Sequence, residues 1–181
     1  MTPAAPTAEP VARPVAVRTD FRDARALYEL SLPFLRSGAL RARTPADYRR
    51  AADTFLVVRS APGGPDGGLD RGLDGQPGGA LDACVALRVL APEPGHPPTG
   101  VLHNLCVRSG RQGLGLGGLL VAAVLAHARR SALSAVVTAT TGDGALFLRH
   151  GFAEVPAAAA PPSWAAELDP SRGSRVFRRL L

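Results

Sequence analysis

Lysine is absent from all 181 residues, and cysteine is limited to two. The first absence removes the nucleotide P-loop, which needs Gly-Lys-Ser/Thr to reach the terminal phosphates. Cys84 and Cys106 both sit inside apolar runs, with no C-x-x-C and no ligand spacing, so no metal centre or disulfide framework is expected. Two buried free thiols suit a reducing cytoplasm. No stretch approaches the ~20 uninterrupted apolar residues that a membrane span needs. The N-terminus lacks the basic start and apolar core of a secretion signal. The expected location is therefore cytoplasmic, with no membrane partner. Aromatic residues are only 5% of the chain, and the arginines behind its +6 charge are scattered, without a basic helix. That pattern argues against a nucleic-acid surface, and acidic small molecules explain the charge equally well.

What is present suits one sizeable core, since 46% of the residues are hydrophobic. The seventeen prolines and twenty glycines cluster and so mark particular segments. Residues 1–14 are Ala/Pro-rich and read as a disordered tail; residues 61–79 read as a flexible Gly/Pro-rich insertion between two strands. Between them, residues 15–18 suggest a strand, with Asp20 capping a helix that Pro33 interrupts. Thr44-Pro45 opens a second helix reaching about Asp53. Strands follow at 55–59, 81–90 and 100–107, then an apolar helix at 114–132. A strand at 135–139, a short helix at 144–150 and strands from 152 and 174 complete the chain. The order β-α-α-β-β-β-α-β-α-β-β is a mixed α+β layer fold, with residues 15–181 as one domain.

The most informative stretch runs from Val107 to Leu120: the end of a strand, a basic turn, a glycine-rich corner and an apolar helix. Closely spaced glycines let a corner expose several backbone N–H groups, and the following helix adds the positive end of its dipole. Such a corner suits phosphate. Gly113, Gly115 and Gly118 spell G-x-G-x-x-G. A dinucleotide fold, however, wants a strand directly before the motif and an acidic residue about 20 positions later. Here the polar turn from Arg108 to Gln112 intervenes, and residues 134–138 carry no carboxylate. An incidental tight turn stays open on the motif alone.

Gln112-Gly113-Leu114-Gly115-Leu116-Gly117 also resembles the Gln/Arg-x-x-Gly-x-Gly corner of the Gcn5-related N-acetyltransferase (GNAT) family. Arg149-His150-Gly151-Phe152 after the last helix, and Leu102 to Val107 as a fourth strand, extend the likeness over about residues 15–181. The resemblance implies the acyl-CoA N-acyltransferase fold, a mixed and mostly antiparallel sheet flanked by helices. It also implies acetyl-CoA as acetyl donor and no metal. Residues Leu105, Cys106 and Val107, with Gln112, Gly113, Leu114, Gly115, Leu116, Gly117 and Gly118, would hold the cofactor. The backbone near Leu105 would polarise the acetyl carbonyl. The segments Gly38 to Thr44, Thr140-Thr141 and Arg172-Gly173-Ser174-Arg175 further resemble the acetyltransferase domain of the N-acetylglutamate synthases, which begin arginine synthesis. By that likeness Arg43, Arg172, Arg175 and Thr140 would bind the carboxylates of L-glutamate, in a stand-alone version of the domain. Arginine's planar fork suits the task.

Two positions depart from the family pattern. Val101 stands where a glutamate is common, and Phe147 where many relatives carry a tyrosine acid, which leaves the general acid unassigned. His103, on the same strand face as Val101, is the best base available. Other acceptors remain open, either another small amine or a protein N-terminus, as does a non-catalytic acyl-CoA-binding module. A homodimer is also left open.

Overall fold

The computed structural model describes residues 15–60 and 80–181. The expected tail at 1–14 and the expected insertion at 61–79 lie outside the described residues. Seven strands form one sheet: β1 (Val17–Arg18), β2 (Phe55–Arg59), β3 (Leu81–Val89), β4 (Thr99–Val107), β5 (Ala135–Thr140), β6 (Ala153–Val155) and β7 (Arg175–Leu180). Their order is β1-β2-β3-β4-β5-β7-β6. Only β4 and β5 run parallel; every other pair is antiparallel. Helices α1 (Ala24–Arg36), α2 (Pro45–Ala51), α3 (Leu116–Arg130), α4 (Ala145–Arg149) and α5 (Pro162–Ala165) cover the sheet. None of them is long and apolar enough to cross a membrane.

Alternation along the strands divides the core into two faces. Leu56 and Val58 of β2, with Val85 and Leu87 of β3, pack against Leu120, Val121 and Val124 of α3. Phe55 and Val57, with Cys84 and Ala86, face Leu27 and Leu30 of α1 and Tyr48 of α2. Each face is a separate apolar layer, as expected for a sheet buried on both sides.

Three local expectations need correction. Asp20 does not cap α1: its carboxylate accepts from the Arg22 N–H at 2.8 Å and shapes a 3₁₀ turn, Phe21–Asp23, that precedes the helix. Helix α1 runs through Pro33 to Arg36. The missing N–H affects only the last turns, and the buried Leu27 and Leu30 hold the helix on the sheet despite it. The Pro/Ala stretch before β7 contains a short helix, α5, whose Trp164 is buried. The Thr44-Pro45 start does form. Thr44 accepts from the Asp47 N–H at 3.3 Å, while the Asp47 carboxylate accepts from the Thr44 N–H at 2.8 Å. The Thr44 N–H first, and then the Thr44 hydroxyl and the Arg50 guanidinium, hold the Asp47 carboxyl down at about 2.

Gly144 begins α4 with φ +72, and a Cβ there would lie 2.0 Å from the tip of the buried Phe177 ring. Gly144→Ala is therefore expected to combine left-handed backbone strain with overpacking, a loss of roughly 2–4 kcal/mol. Chemical denaturation of the variant measures it, and an unchanged midpoint would refute the packing account.

Candidate active site

Strand β4 is paired with β5 only from Thr99 to Val101, opposite Ala135 to Val137. Beyond that point β5 continues to Thr140 on β7 alone, and β4 continues to Val107 on β3 alone. The sheet splits into a wedge, and the β4 backbone from Leu102 onward turns no ladder bond toward β5. Leu105 and Val107 are half-buried against the α3 layer, whereas Cys106 points its side chain into the α1 layer. Of the expected cofactor residues on β4, Cys106 can thus offer only its backbone.

Asn104 marks a second irregularity further along β4. It adopts φ +54, a left-handed conformation that Asn tolerates better than most residues. The β3–β4 register slips at this point, pairing Cys84 with Cys106 and Ala86 with His103. The slip resets the side-chain alternation. Leu102 and Leu105 both face α3, while His103 and Asn104, though adjacent in sequence, both face the α1–α2 layer.

The glycine corner lies at the end of this strand. Gly113 and Gly115 both have φ +78, and a Cβ on either would meet nothing within 4 Å. Gly115 is the N-cap of α3 and offers no side-chain cap, so the first N–H groups of that helix are unsatisfied by it. Gln112 braces the turn by donating to the Val107 carbonyl at 3.1 Å. Gly117 and Gly118 are glycines for a different reason. A Cβ on them would come 3.3 Å from Leu146 and 3.1 Å from the His150 ring, so they let α3 pack on α4.

On the other side of β4 lies a cavity of about 130 Å³, walled by the α1–α2 loop, β4, the end of β5 and the α5–β7 segment. It contains Arg43, Arg172, Thr140 and His103, four of the residues picked out above. Arg175 is not among them. Its guanidinium forks onto both Glu154 oxygens, donates to the Asp143 carbonyl at 2.8 Å and lies 5.4 Å from the Phe177 ring centre. That arginine ties β7 to β6. Arg172 reaches the cavity but spends one terminal nitrogen on the carbonyls of Gly38 and Ala39, at 2.8 and 3.2 Å. Thr140 accepts from the Gly142 N–H at 3.1 Å. Phe147 is core, with its ring 5.6 Å from Phe152 and 6.0 Å from Phe177.

Arg41, Arg88, Glu167 and Asn104 also line the cavity and were not singled out from sequence. Arg88 donates from one nitrogen to both Glu167 oxygens, at 2.8 and 2.9 Å, and Arg41 lies 4.0 Å from the same carboxylate. Arg43 differs: among the described residues its guanidinium has neither a carboxylate nor a hydrogen-bond partner. An arginine in an otherwise apolar strand, as at Arg88, and two consecutive polar residues in another, as at His103-Asn104, were the available signals.

The His103 ring stands edge-on to Phe55 at 6.3 Å, at the end of an aromatic column through Phe55, Tyr48 and Tyr28. Its Nδ1 is buried without a partner. Burial, followed by the positive charges of Arg43 and Arg88, pushes the imidazole down to about 3, so it is neutral at ordinary pH.

Because the folded state disfavours protonated His103, the unfolded chain binds the extra proton between about pH 6.5 and 3, and stability falls as pH drops through that window. His103→Gln is expected to show a shallower loss of stability from pH 6.5 to 4 than the parent. Thermal unfolding across that range tests it, and parallel curves would mean that His103 is not charged on unfolding.

No curated protein matches this sequence. Residues 68–152 match the family model described as Acetyltransferase (GNAT) family. Among solved structures, N-acetylglutamate synthase from Neisseria gonorrhoeae, complexed with coenzyme A and N-acetyl-glutamate, superposes with TM-score 0.76 at 20% identity over 95% of this chain. The chain spans only 36% of that synthase. Rv2747 from Mycobacterium tuberculosis, in complex with CoA, gives TM-score 0.69 at 22% identity, covering 93% of this chain and 99% of its own. Diaminobutyrate acetyltransferase EctA from Paenibacillus lautus, with its substrate and coenzyme A, gives 0.60 at 14% identity, with 92% and 93% covered. The family match spans the wedge strand and the glycine corner, and the solved structures share the fold around them over nearly the whole chain: residues 68–152 are similar to the acetyltransferase (GNAT) family and sit on the fold of those acetyltransferases.

Proposed function

We propose that the chain transfers an acetyl group from acetyl-CoA to the α-amine of a small amino acid bearing a side-chain carboxylate, with L-glutamate as the acceptor. The carrying observation is Arg43, an unpaired guanidinium in a cavity that also holds a neutral imidazole. Arg43 is half-buried, and a partly desolvated cation without a counter-ion favours an anionic ligand. The synthase from Neisseria gonorrhoeae, complexed with N-acetyl-glutamate, supports the choice of glutamate.

Acetyl-CoA supplies the thioester. Gly113 and Gly115 leave the corner open for its pyrophosphate, which the first N–H groups of α3 would bind as a helix N-terminus binds anions. The unpaired edge of β4 beyond Val101 would receive the rest of the donor, with a backbone N–H near Leu105 on the acetyl oxygen. Arg43 holds the acceptor carboxylate, and Arg172 holds the loop that completes the cavity wall. The amine nitrogen attacks the thioester carbon, the C–S bond breaks, and a proton leaves the amine. His103 would accept that proton; burial first, and then the Arg43 charge, depresses its basicity, and a bound carboxylate would offset the second of these. Positioning supplies much of the remaining rate enhancement.

Glu167 and Asp169 in the same cavity favour a second reading, an acceptor with a second amino group like the substrate of EctA. CoA release measured across dicarboxylic, diamino and neutral amino acids decides between them. Glutamate is expected to be fastest, and faster acetylation of an amine without a side-chain carboxylate would end the glutamate reading.

Two substitutions separate the halves of the site. Gly115→Glu puts a charge over the corner, where its Cβ has room but the left-handed backbone is strained, and should weaken CoA binding at least about tenfold, or 1.4 kcal/mol. Unchanged affinity in the folded variant would remove the corner from the donor site. Arg43→Ala should raise the glutamate KM by roughly ten- to a hundred-fold while sparing the KM for acetyl-CoA, as expected for a lost charge-assisted hydrogen bond.

A further inference from the structure

Asn104 has a role that neither the donor corner nor the acceptor arginines explain. Its side chain is buried and fully engaged. The Tyr48 hydroxyl donates to Oδ1 at 2.9 Å, and Nδ2 donates to the Ser31 hydroxyl at 3.0 Å. Its backbone carbonyl accepts from the Cys84 thiol at 3.6 Å. Tyr48 belongs to α2 and Ser31 to α1, so a single amide links both helices to the strand where the sheet opens. Ser31 passes the connection on by donating to the Leu27 carbonyl at 2.8 Å.

The two ends of this link are the two halves of the site. Tyr48 lies one turn into α2, whose capping box begins at Thr44, and Arg43 directly precedes that cap. The orientation of α2 therefore sets where Arg43 enters the cavity. On the strand side, the left-handed backbone of Asn104 coincides with the β3–β4 register slip and directly precedes the backbone of Leu105 to Val107. Buried hydrogen bonds of this kind are expensive to leave half-made, which fixes the spacing firmly.

We propose that Asn104 is a positioning residue that sets the distance between the acyl-donor strand and the acceptor-binding Arg43, acting through Tyr48. This deepens the functional reading above and rests on Arg43 as the acceptor ligand. Asn104 reaches the cavity lining, but its side-chain amide is engaged by Tyr48 and Ser31, so its part in this scheme is positioning.

The test uses the full chain, acetyl-CoA and whichever amine the panel shows to be acetylated fastest, with thermal melts to confirm folding. Tyr48→Phe removes only the hydroxyl that donates to Asn104 and should raise the acceptor KM about fivefold, with the acetyl-CoA KM within about twofold. On an Arg43→Ala background the same change should add less than about twofold, because its effect passes through Arg43. Asn104→Gly keeps the left-handed backbone accessible but loses the amide, and should raise the acceptor KM and lower kcat about tenfold. Unchanged KM and kcat in folded Tyr48→Phe and Asn104→Gly would overturn the proposal. So would a Tyr48→Phe effect that adds in full to Arg43→Ala. If Asn104→Gly does not fold, the Tyr48 cycle decides alone. If Arg43→Ala leaves the acceptor KM unchanged, the carboxylate reading fails, and the kcat of Asn104→Gly decides the positioning role.

Discussion

Strand β4 cannot serve both of its neighbours along its whole length, and the site follows from that restriction. Its parallel partnership with β5 lasts three residues on each strand, after which the two strands separate. Separation exposes a length of backbone that no ladder satisfies, in a sheet otherwise covered on both faces. Such groups are costly to leave without partners, so the wedge has a standing affinity for a ligand that can complete the ladder. The glycine corner lies beyond the far end of this strand and the arginine-lined cavity beside its middle.

Electrostatics gives the cavity its character. Arg88 is matched by Glu167, and Arg172 is engaged by carbonyl oxygens, but Arg43 has no such match. The same surplus positive charge, added to burial, keeps His103 neutral. A single arrangement therefore disposes the cavity toward anions and leaves it an uncharged nitrogen. Binding of an anion and the strength of the base are coupled through one charge.

The sheet, the helix order and the glycine corner were legible because they rest on local rules: strand alternation, helix caps, and positive φ at Gly113 and Gly115. Local rules also misled. Pro33 reads as a breaker, yet α1 passes through it on the strength of contacts with β3 and β4. Arg175 reads like Arg172, but its partner Glu154 is 21 positions away and adjacent only once β6 and β7 pair. Arg88, Tyr48 and Asn104 carry weight through hydrogen bonds and ion pairs spanning 56 to 79 positions, which no periodicity reveals. Gly117 and Gly118 carry a packing constraint that Gly115 does not, set by neighbouring side chains in α4 and at its end that no local rule reveals.

The cavity is walled partly by the central strands, through Arg88, Val101 to Asn104 and Ala139 to Thr141, and partly by segments from either side of them in the chain. Leu40 to Arg43 lie before the family-matched window of residues 68–152, and Trp164 to Ser174 lie after it. The wedge and the corner fall inside that window. The flanking segments thus shape part of the cavity without contributing to the wedge or the corner, and a change at Trp164 or Leu168 alters the room inside it while leaving both in place.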